Sequence, residues 1–215
     1  MPAPLSIIIP ALDAAADLPL CLESLMPGLE AALIREVIVV DQGSTDATVK
    51  IGEATGARVI IAKDQPIRAG VAEARGDWLL ILPATAALSR EWTERAGDHI
   101  DTRPGKAAFF ELRYRSDDRR ARALEKDAAR YSEKLGQPLP EQGLLLSRDL
   151  YEELSGGSAV DISGLVRGLG RERLIQLSAQ ARVSAADLEK SGWKRPRPSG
   201  GGYWRTLFAA KGKGR

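Results

Sequence analysis

Residues 36–48, EVIVVDQGSTDAT, set two carboxylates, two hydroxyls and a glycine within positions 41–46, directly behind a β-branched run. The Val and Ile residues read as a strand that delivers Asp41 to its carboxyl end. Gly43 then permits a sharp turn, and Ser44, Thr45 and Asp46 open a helix. A carboxylate so placed can accept from a nucleobase N–H or a ribose hydroxyl, and the helix start beside it favours anions. Asp41 could instead do no more than satisfy the amides of its own turn. Its place at a sheet edge favours a ligand. For Asp46, an N-cap accounts for the residue fully.

A second apolar run, GDWLLILPATAAL at 76–88, leads to the same edge and offers nothing reactive there. Trp78–Leu82 reads as a buried strand that Pro83 must end, since proline cannot donate to a ladder. Pro83-Ala84-Thr85-Ala86 brings no carboxylate, amide or imidazole. Cys21 and His99 are the only residues of their kinds. That excludes a disulfide framework, a thiolate zinc site and any multi-histidine metal centre. Cys21, among Leu18, Leu20, Leu22 and Leu25, reads as a core residue of a helix.

The elements that must position these residues alternate along the first hundred positions. Strands are expected at Leu5–Pro10, Glu36–Asp41, Arg58–Ala62 and Trp78–Leu82. Helices are expected at Leu18–Leu29, from Asp46 to about Thr55, and at Gln65–Arg75, with Ser89 capping the next. This alternation predicts an α/β fold whose parallel sheet is covered on both faces. Farther on, strands are expected at Lys106–Tyr114, Gly143–Ser147 and Arg173–Leu177. Helices are expected at Asp117–Leu135, from Arg148, and at Ile162–Gly168. Pro196, Pro198 and Gly200–Gly202 break any regular element in the C-terminal tail.

Composition bounds the function classes. At 215 residues and 44% hydrophobic content, the chain is globular in character. No apolar stretch has the length of a membrane span, and the N-terminus lacks the basic region of a signal peptide, so a cytoplasmic location is expected. The net charge of +2 is unevenly spread. Residues 1–100 carry 8 Lys and Arg against 14 Asp and Glu, whereas residues 190–215 hold eight basic residues and no acidic one. Trp193, Tyr203, Trp204, Leu207 and Phe208 interleave with Lys194, Arg195, Arg197 and Arg205. That mixture suits a membrane interface, and equally aromatics packed back on the domain. No GxGxxG or GxxxxGK[ST] follows a strand, and no RNA-binding signature accompanies the tail, which argues against dinucleotide, P-loop and nucleic-acid functions.

LSIIIPALDAAADLPLCLESL, EVIVVDQGSTDAT and RAGVAEARGDWLLIL, in this order and spacing, resemble the nucleotide-sugar half of family 2 glycosyltransferases. GLLLSRDLYEEL followed by VDISGLVRGLG resembles the acceptor half of the small bacterial members. The resemblance covers about residues 5–180. It implies a GT-A-like three-layer α/β/α fold with a mostly parallel central sheet, a nucleotide-sugar half at 1–100, an acceptor half at 101–180 and a basic tail at 181–215. It also implies an inverting transfer from a nucleoside-diphosphate sugar such as a UDP-sugar to an acceptor, which in relatives is often lipid-linked. Pro10 and Ala11 would line the nucleobase pocket, Asp41 would bind the base, and Asp13 stands where relatives carry Asn. Asp161 matches the general base that deprotonates the acceptor, although an N-cap explains it as well. Glu141 falls where relatives often carry an acceptor-site Asp, or is a solvated loop residue. Residues 84–86 match the Asp-x-Asp that holds a divalent ion in relatives, with Ala84 and Ala86 in place of the carboxylates. Tight metal binding is therefore not expected. Lys63, Arg68 and Arg75 near the nucleotide edge, or Lys194, Arg195 and Arg197 as a lid, could supply the positive charge, although for Arg75 a helix end that favours positive charge accounts for the residue as well. Alternatively the chain is a non-catalytic nucleotide- or protein-binding descendant.

Overall fold

The computed structural model describes residues 3–158 and 160–193. Its strands are β1 (Leu5–Ala11), β2 (Ile34–Asp41), β3 (Arg58–Ile61), β4 (Trp78–Ile81), β5 (Ala86–Leu88), β6 (Ala107–Tyr114), β7 (Leu144–Ser147) and β8 (Leu174–Val183). The helices are α1 (Leu18–Glu23), α2 (Met26–Glu30), α3 (Thr48–Ala54), α4 (Pro66–Glu73), α5 (Trp92–Thr102), α6 (Arg119–Leu135), α7 (Arg148–Ser155), α8 (Ile162–Leu169) and α9 (Ala186–Lys190).

Among the described residues the strands form one sheet in the order β3-β2-β1-β4-β7-β6-β8-β5. β3, β2, β1 and β4 pair in parallel, as do β6 and β8, whereas β7 and β5 run antiparallel to their neighbours. The period-two alternation of buried strands divides the core in two. Ile7, Ile9, Leu80 and Leu82 point to one side, where Leu18 and Cys21 of α1, Trp92 of α5 and Ala128 of α6 cover them. Ile8, Leu79 and Ile81 point to the other, against Ile67 and Val71 of α4, Tyr151 of α7 and Leu165 of α8. Helices on both faces give the three-layer α/β/α arrangement.

Four sequence expectations are corrected. The helix over 18–29 is two short ones, because the Ser24 hydroxyl donates to the Cys21 carbonyl at 2.6 Å and accepts from Leu88 at 3.0 Å, and Pro27 lacks an amide hydrogen. Ser89 does not cap α5; its hydroxyl accepts from the Gln180 amide at 2.9 Å, and Glu91 holds the N-cap. The last strand continues past Leu177 to Val183, because it is paired on both sides, by β6 and β5. The boundary at 180 therefore cuts through β8, and ordered chain continues through α9. The three-residue β5, too short to leave a periodic signal, was not anticipated.

Trp193 packs back on the domain, edge-on to Tyr114 at 6.5 Å between centroids and under the Arg120 guanidinium at 5.5 Å. Lys194, Arg195, Arg197 and the other tail aromatics lie outside the described residues. No helix among the described residues is long and apolar enough to cross a membrane.

Candidate functional site

The carboxyl ends of β1 and β2 are bound together by the polar residues of the DQGSTDAT turn. Asp13 sits in the left-handed region at φ 46°, and its amide donates to Ser44 Oγ at 2.9 Å. Its carboxylate in return accepts from the Thr45 amide at 2.8 Å. Beyond it, the Ala14 amide donates to Thr48 Oγ1 at 2.8 Å and the Ala15 amide to Asp46 Oδ2 at 3.0 Å. Asp46 also accepts from the Thr48 amide at 2.9 Å. These side chains hold the β1–α1 loop against the β2–α3 loop, which fixes the rim of the sheet edge.

Asp41 is 2% exposed, and its Oδ2 accepts from the amides of Gly43 at 2.9 Å and Ser44 at 3.1 Å. Turn capping is thus what the carboxylate does in the folded chain. Pro10 and Ala11 lie beside it in the β1–β2 register, and the Ala11 carbonyl accepts from the Gln42 amide at 2.9 Å. The side-chain nitrogen of Gln42 is shielded from solvent with no hydrogen-bond partner among the described residues. An amide there can both donate and accept, as a nucleobase edge requires. Sequence reading passed over Gln42 because it carries no charge.

Two cations flank this rim. The Lys63 stem lies over Gly43, 3.4 Å from where a Cβ would stand, and Gly43 holds φ 95°. Arg68, in the first turn of α4, hydrogen-bonds Gln65 Oε1 at 3.3 Å. Tyr151, on α7, was not anticipated. Its hydroxyl is shielded with no partner among the described residues, and burial raises its pKa against the opposing charge of Arg68. Arg75 does not belong here. It pairs with Glu36 at 3.2 Å beside Ser6 and Gly76, where β1 begins, at the opposite edge of the sheet. Burial works against charge on Glu36, but the Arg75 amide, the Ser6 hydroxyl and the Arg75 guanidinium outweigh it and hold the carboxyl below its ordinary range.

Glu141 lies in a 3-10 turn at Pro140–Gln142 leading into β7, and it is buried, not a solvated loop residue. Gly143 beside it closes on the Ile81 carbonyl and Leu82, which places the turn at the carboxyl end of β4. Asp161 caps α8, accepting from the Gly164 amide at 2.7 Å. It stands half-buried in the helical layer of α4 and α7.

Ala84 and Ala86 are fully buried in the apolar core, so neither position faces the rim with a metal-ligating atom. Among the described residues no three His, Cys, Asp or Glu residues cluster as a metal ion would require. Ala84 and Ala86 thus bring no side-chain oxygen to this edge, where hard cations bind through several oxygens. The Thr85 carbonyl accepts from the Ser184 amide at 3.0 Å, with the Arg115 guanidinium 3.5 Å away and tied to Asp17 at 2.5 Å. Cys21 Sγ lies 3.9 Å from the Pro83 carbonyl, and burial pushes its thiol up to about 12. It is no nucleophile at neutral pH.

A family model, Glycosyl transferase family 2, matches residues 6–150. The chain belongs to glycosyl transferase family 2. A PGL/p-HBAD biosynthesis glycosyltransferase of Mycobacterium tuberculosis is 40% identical over 99 residues, which is 41% of this chain and 38% of that protein. The chain thus matches well under half the length of that curated relative. Among solved structures, this family 2 chain resembles glucosyl-3-phosphoglycerate synthase from Mycobacterium tuberculosis. The form in complex with Mn²⁺ and UDP-glucose aligns with TM-score 0.62 at 21% identity, covering 96% of this chain and 77% of that one. The form with Mn²⁺, UDP and phosphoglyceric acid aligns with TM-score 0.61 at 22% identity, covering 99% and 80%. At these identities the likeness establishes the GT-A fold.

Proposed function

We propose that this family 2 member transfers a sugar from a nucleoside-diphosphate donor to an acceptor hydroxyl with inversion, and that it does so without a tightly held divalent ion. The observation that carries the reading is the rim itself. Asp13, Asp41 and the 42–46 turn are locked together at the carboxyl edge of β1 and β2, where open α/β sheets bind ligands. Pro10, Ala11 and Gln42 line the base side, and Lys63 and Arg68 face the diphosphate. In the transfer, the bond from the anomeric carbon to the diphosphate oxygen breaks and its electron pair leaves with the diphosphate. The acceptor oxygen bonds from the opposite face and loses its proton to a carboxylate. Asp161 is that base in this reading; one oxygen caps α8, and a carboxylate has capacity for a further donor. Glu141 positions the acceptor. A lipid-linked acceptor would explain a basic, aromatic tail that docks at a membrane surface.

Ala84 and Ala86 support a second reading, a nucleotide- or protein-binding member that does not turn over. Calorimetry with UDP and UDP-glucose, in EDTA and then in Mn²⁺, followed by assay of UDP release, separates the two. Binding that is indifferent to chelation, with slow release of UDP, supports transfer. Binding without release supports the second reading. A large loss of affinity in EDTA overturns the metal-independent arrangement.

A further inference from the structure

A cavity of about 1410 Å³ opens between α1–α2 and the start of α6, floored by β5, β6 and β8. None of the residues placed at the nucleotide rim lines it. A second cavity of about 790 Å³ continues from it, sharing Leu88, Arg90, Glu111, Gln180 and Arg182.

The floor is set by strand register. β6 and β8 pair Glu111 with Gln180 and Arg113 with Arg182, while β8 and β5 pair Arg182 with Ala87. Side chains alternate along each strand, so these five share one face, and Leu112, Ala181 and Val183 go to the core on the other. A register shift between Phe110 and Glu111 makes this possible, since Phe110 pairs with Leu177 and Glu111 already with Gln180. Such bulges re-aim the side chains that follow.

The result is two guanidiniums on directly paired residues, which is unfavourable unless something negative offsets them. Arg113 has its offset, in Glu111 at 2.6 Å and Glu125 at 3.7 Å. Arg182 and Arg90 are not paired in this way: among the described residues neither side chain makes an ion pair or hydrogen bond, and the carboxylate that feels both charges is Glu91. Both lower the pKa of Glu91 by their charge, after its hydrogen bonds to its own amide and to Ser89, so the two lie in reach of one carboxylate. Ala87, opposite Arg182, leaves the space beside that guanidinium open. The facing wall of α1–α2 carries Glu23 and Glu30, which suit hydroxyl donors.

We infer that Arg182, with Arg90 and Arg113, binds the phosphate of a phosphorylated sugar or polyol whose hydroxyl-bearing body lies along the trough toward Glu23 and Glu30. Guanidinium forks match phosphate oxygens bidentately, and several around one point favour a tetrahedral oxyanion over a flat carboxylate.

The test is calorimetry in phosphate-free buffer, with the protein saturated by UDP so that the donor rim is filled. The probes are inorganic phosphate, glucose 6-phosphate and glucose. Both phosphate probes should bind, and glucose should not. Tighter binding of glucose 6-phosphate identifies the organic ligand proposed; equal binding of the two overturns the sugar body in favour of free phosphate. In the double variant Arg90→Gln, Arg182→Gln, affinity for the phosphate probes should fall about tenfold to a hundredfold. Glu111→Gln, which removes a competing carboxylate from the floor, should raise it. UDP affinity should be unchanged in both variants. Failure of either phosphate probe to bind the natural chain, wild-type affinity in the double variant, or a parallel fall in UDP affinity would each overturn the inference. UDP binding by the natural chain remains a separate test of the donor site.

Discussion

Replacing Asp41 by Ala should destabilise the fold before it touches any chemistry. The carboxylate accepts from the Gly43 and Ser44 amides within a residue that is 2% exposed, so truncation leaves two part-buried donors without their acceptor. An unsatisfied buried donor costs about 1–3 kcal/mol, and water entering the turn recovers part of that. A loss of about 2–4 kcal/mol is therefore expected, or very roughly 4–16 °C in Tm for a chain of this size. Asp41→Asn keeps one acceptor oxygen in place and should recover about half of the loss. Thermal unfolding of the three proteins, followed by far-UV circular dichroism with and without UDP, checks the order. Nucleotide affinity should fall in step with turn disruption, so Asp41→Asn should bind UDP better than Asp41→Ala. If Asp41→Ala melts with the natural chain while losing UDP, the carboxylate serves the ligand and not the turn, and the reasoning fails.

Other outcomes follow from the same contacts. Ser44→Ala removes the acceptor for the Asp13 amide and should cost about 1 kcal/mol in chemical denaturation, with weaker UDP binding because the rim loosens. Ala84→Asp and Ala86→Asp would bury a carboxylate in the apolar core rather than build a metal site, so each should destabilise by several kcal/mol and confer no Mn²⁺-dependent rise in UDP affinity. Glu36→Gln tests linkage. Its folded carboxyl lies below the ordinary range, so the natural chain's advantage is present above that range and is lost as pH falls through the depressed value; pH-dependent denaturation should show the two curves converging in acid. Cys21 should resist thiol reagents in the folded protein and react on unfolding, as its buried thiol near 12 requires.

The first hundred residues were legible because local signals and tertiary packing agree there. β-branched runs end at turn residues, Gly56 sits at φ 78° just past α3, and helical spacing matches the buried faces of α1 and α4. The second half was harder for physical reasons. Ser178, Gln180 and Arg182 are polar, and β8 looked finished at Leu177 because its outward face is the cavity floor rather than a core. Arg75 follows the end of α4 and pairs with Glu36, as its helix-end reading allows, because chain distance does not reveal which edge of the sheet that end joins. Tyr151 and Gln42 went unnoticed because an orphaned polar atom is a property of three-dimensional surroundings.

The DQGSTDAT turn raises the sharper question of how much a motif reports. Asp13, Ser44, Thr45, Asp46 and Thr48 all make contacts that bind one loop to another. Of these only Asp13 is read as a ligand residue, through the resemblance, and Asp46 as an N-cap, yet all five hydrogen-bond within the protein. That is compatible with a ligand role of another kind, because a rim held by cross-loop hydrogen bonds is already in place when a nucleotide arrives, and pre-organisation lowers what binding must order. It also explains how such a segment can remain intact in a chain with alanines at 84 and 86. The turn is held by its own partners, so in the proposed reading the scaffold of the donor edge and the neutralisation of the diphosphate are separable, and the second would fall to cations such as Lys63 and Arg68.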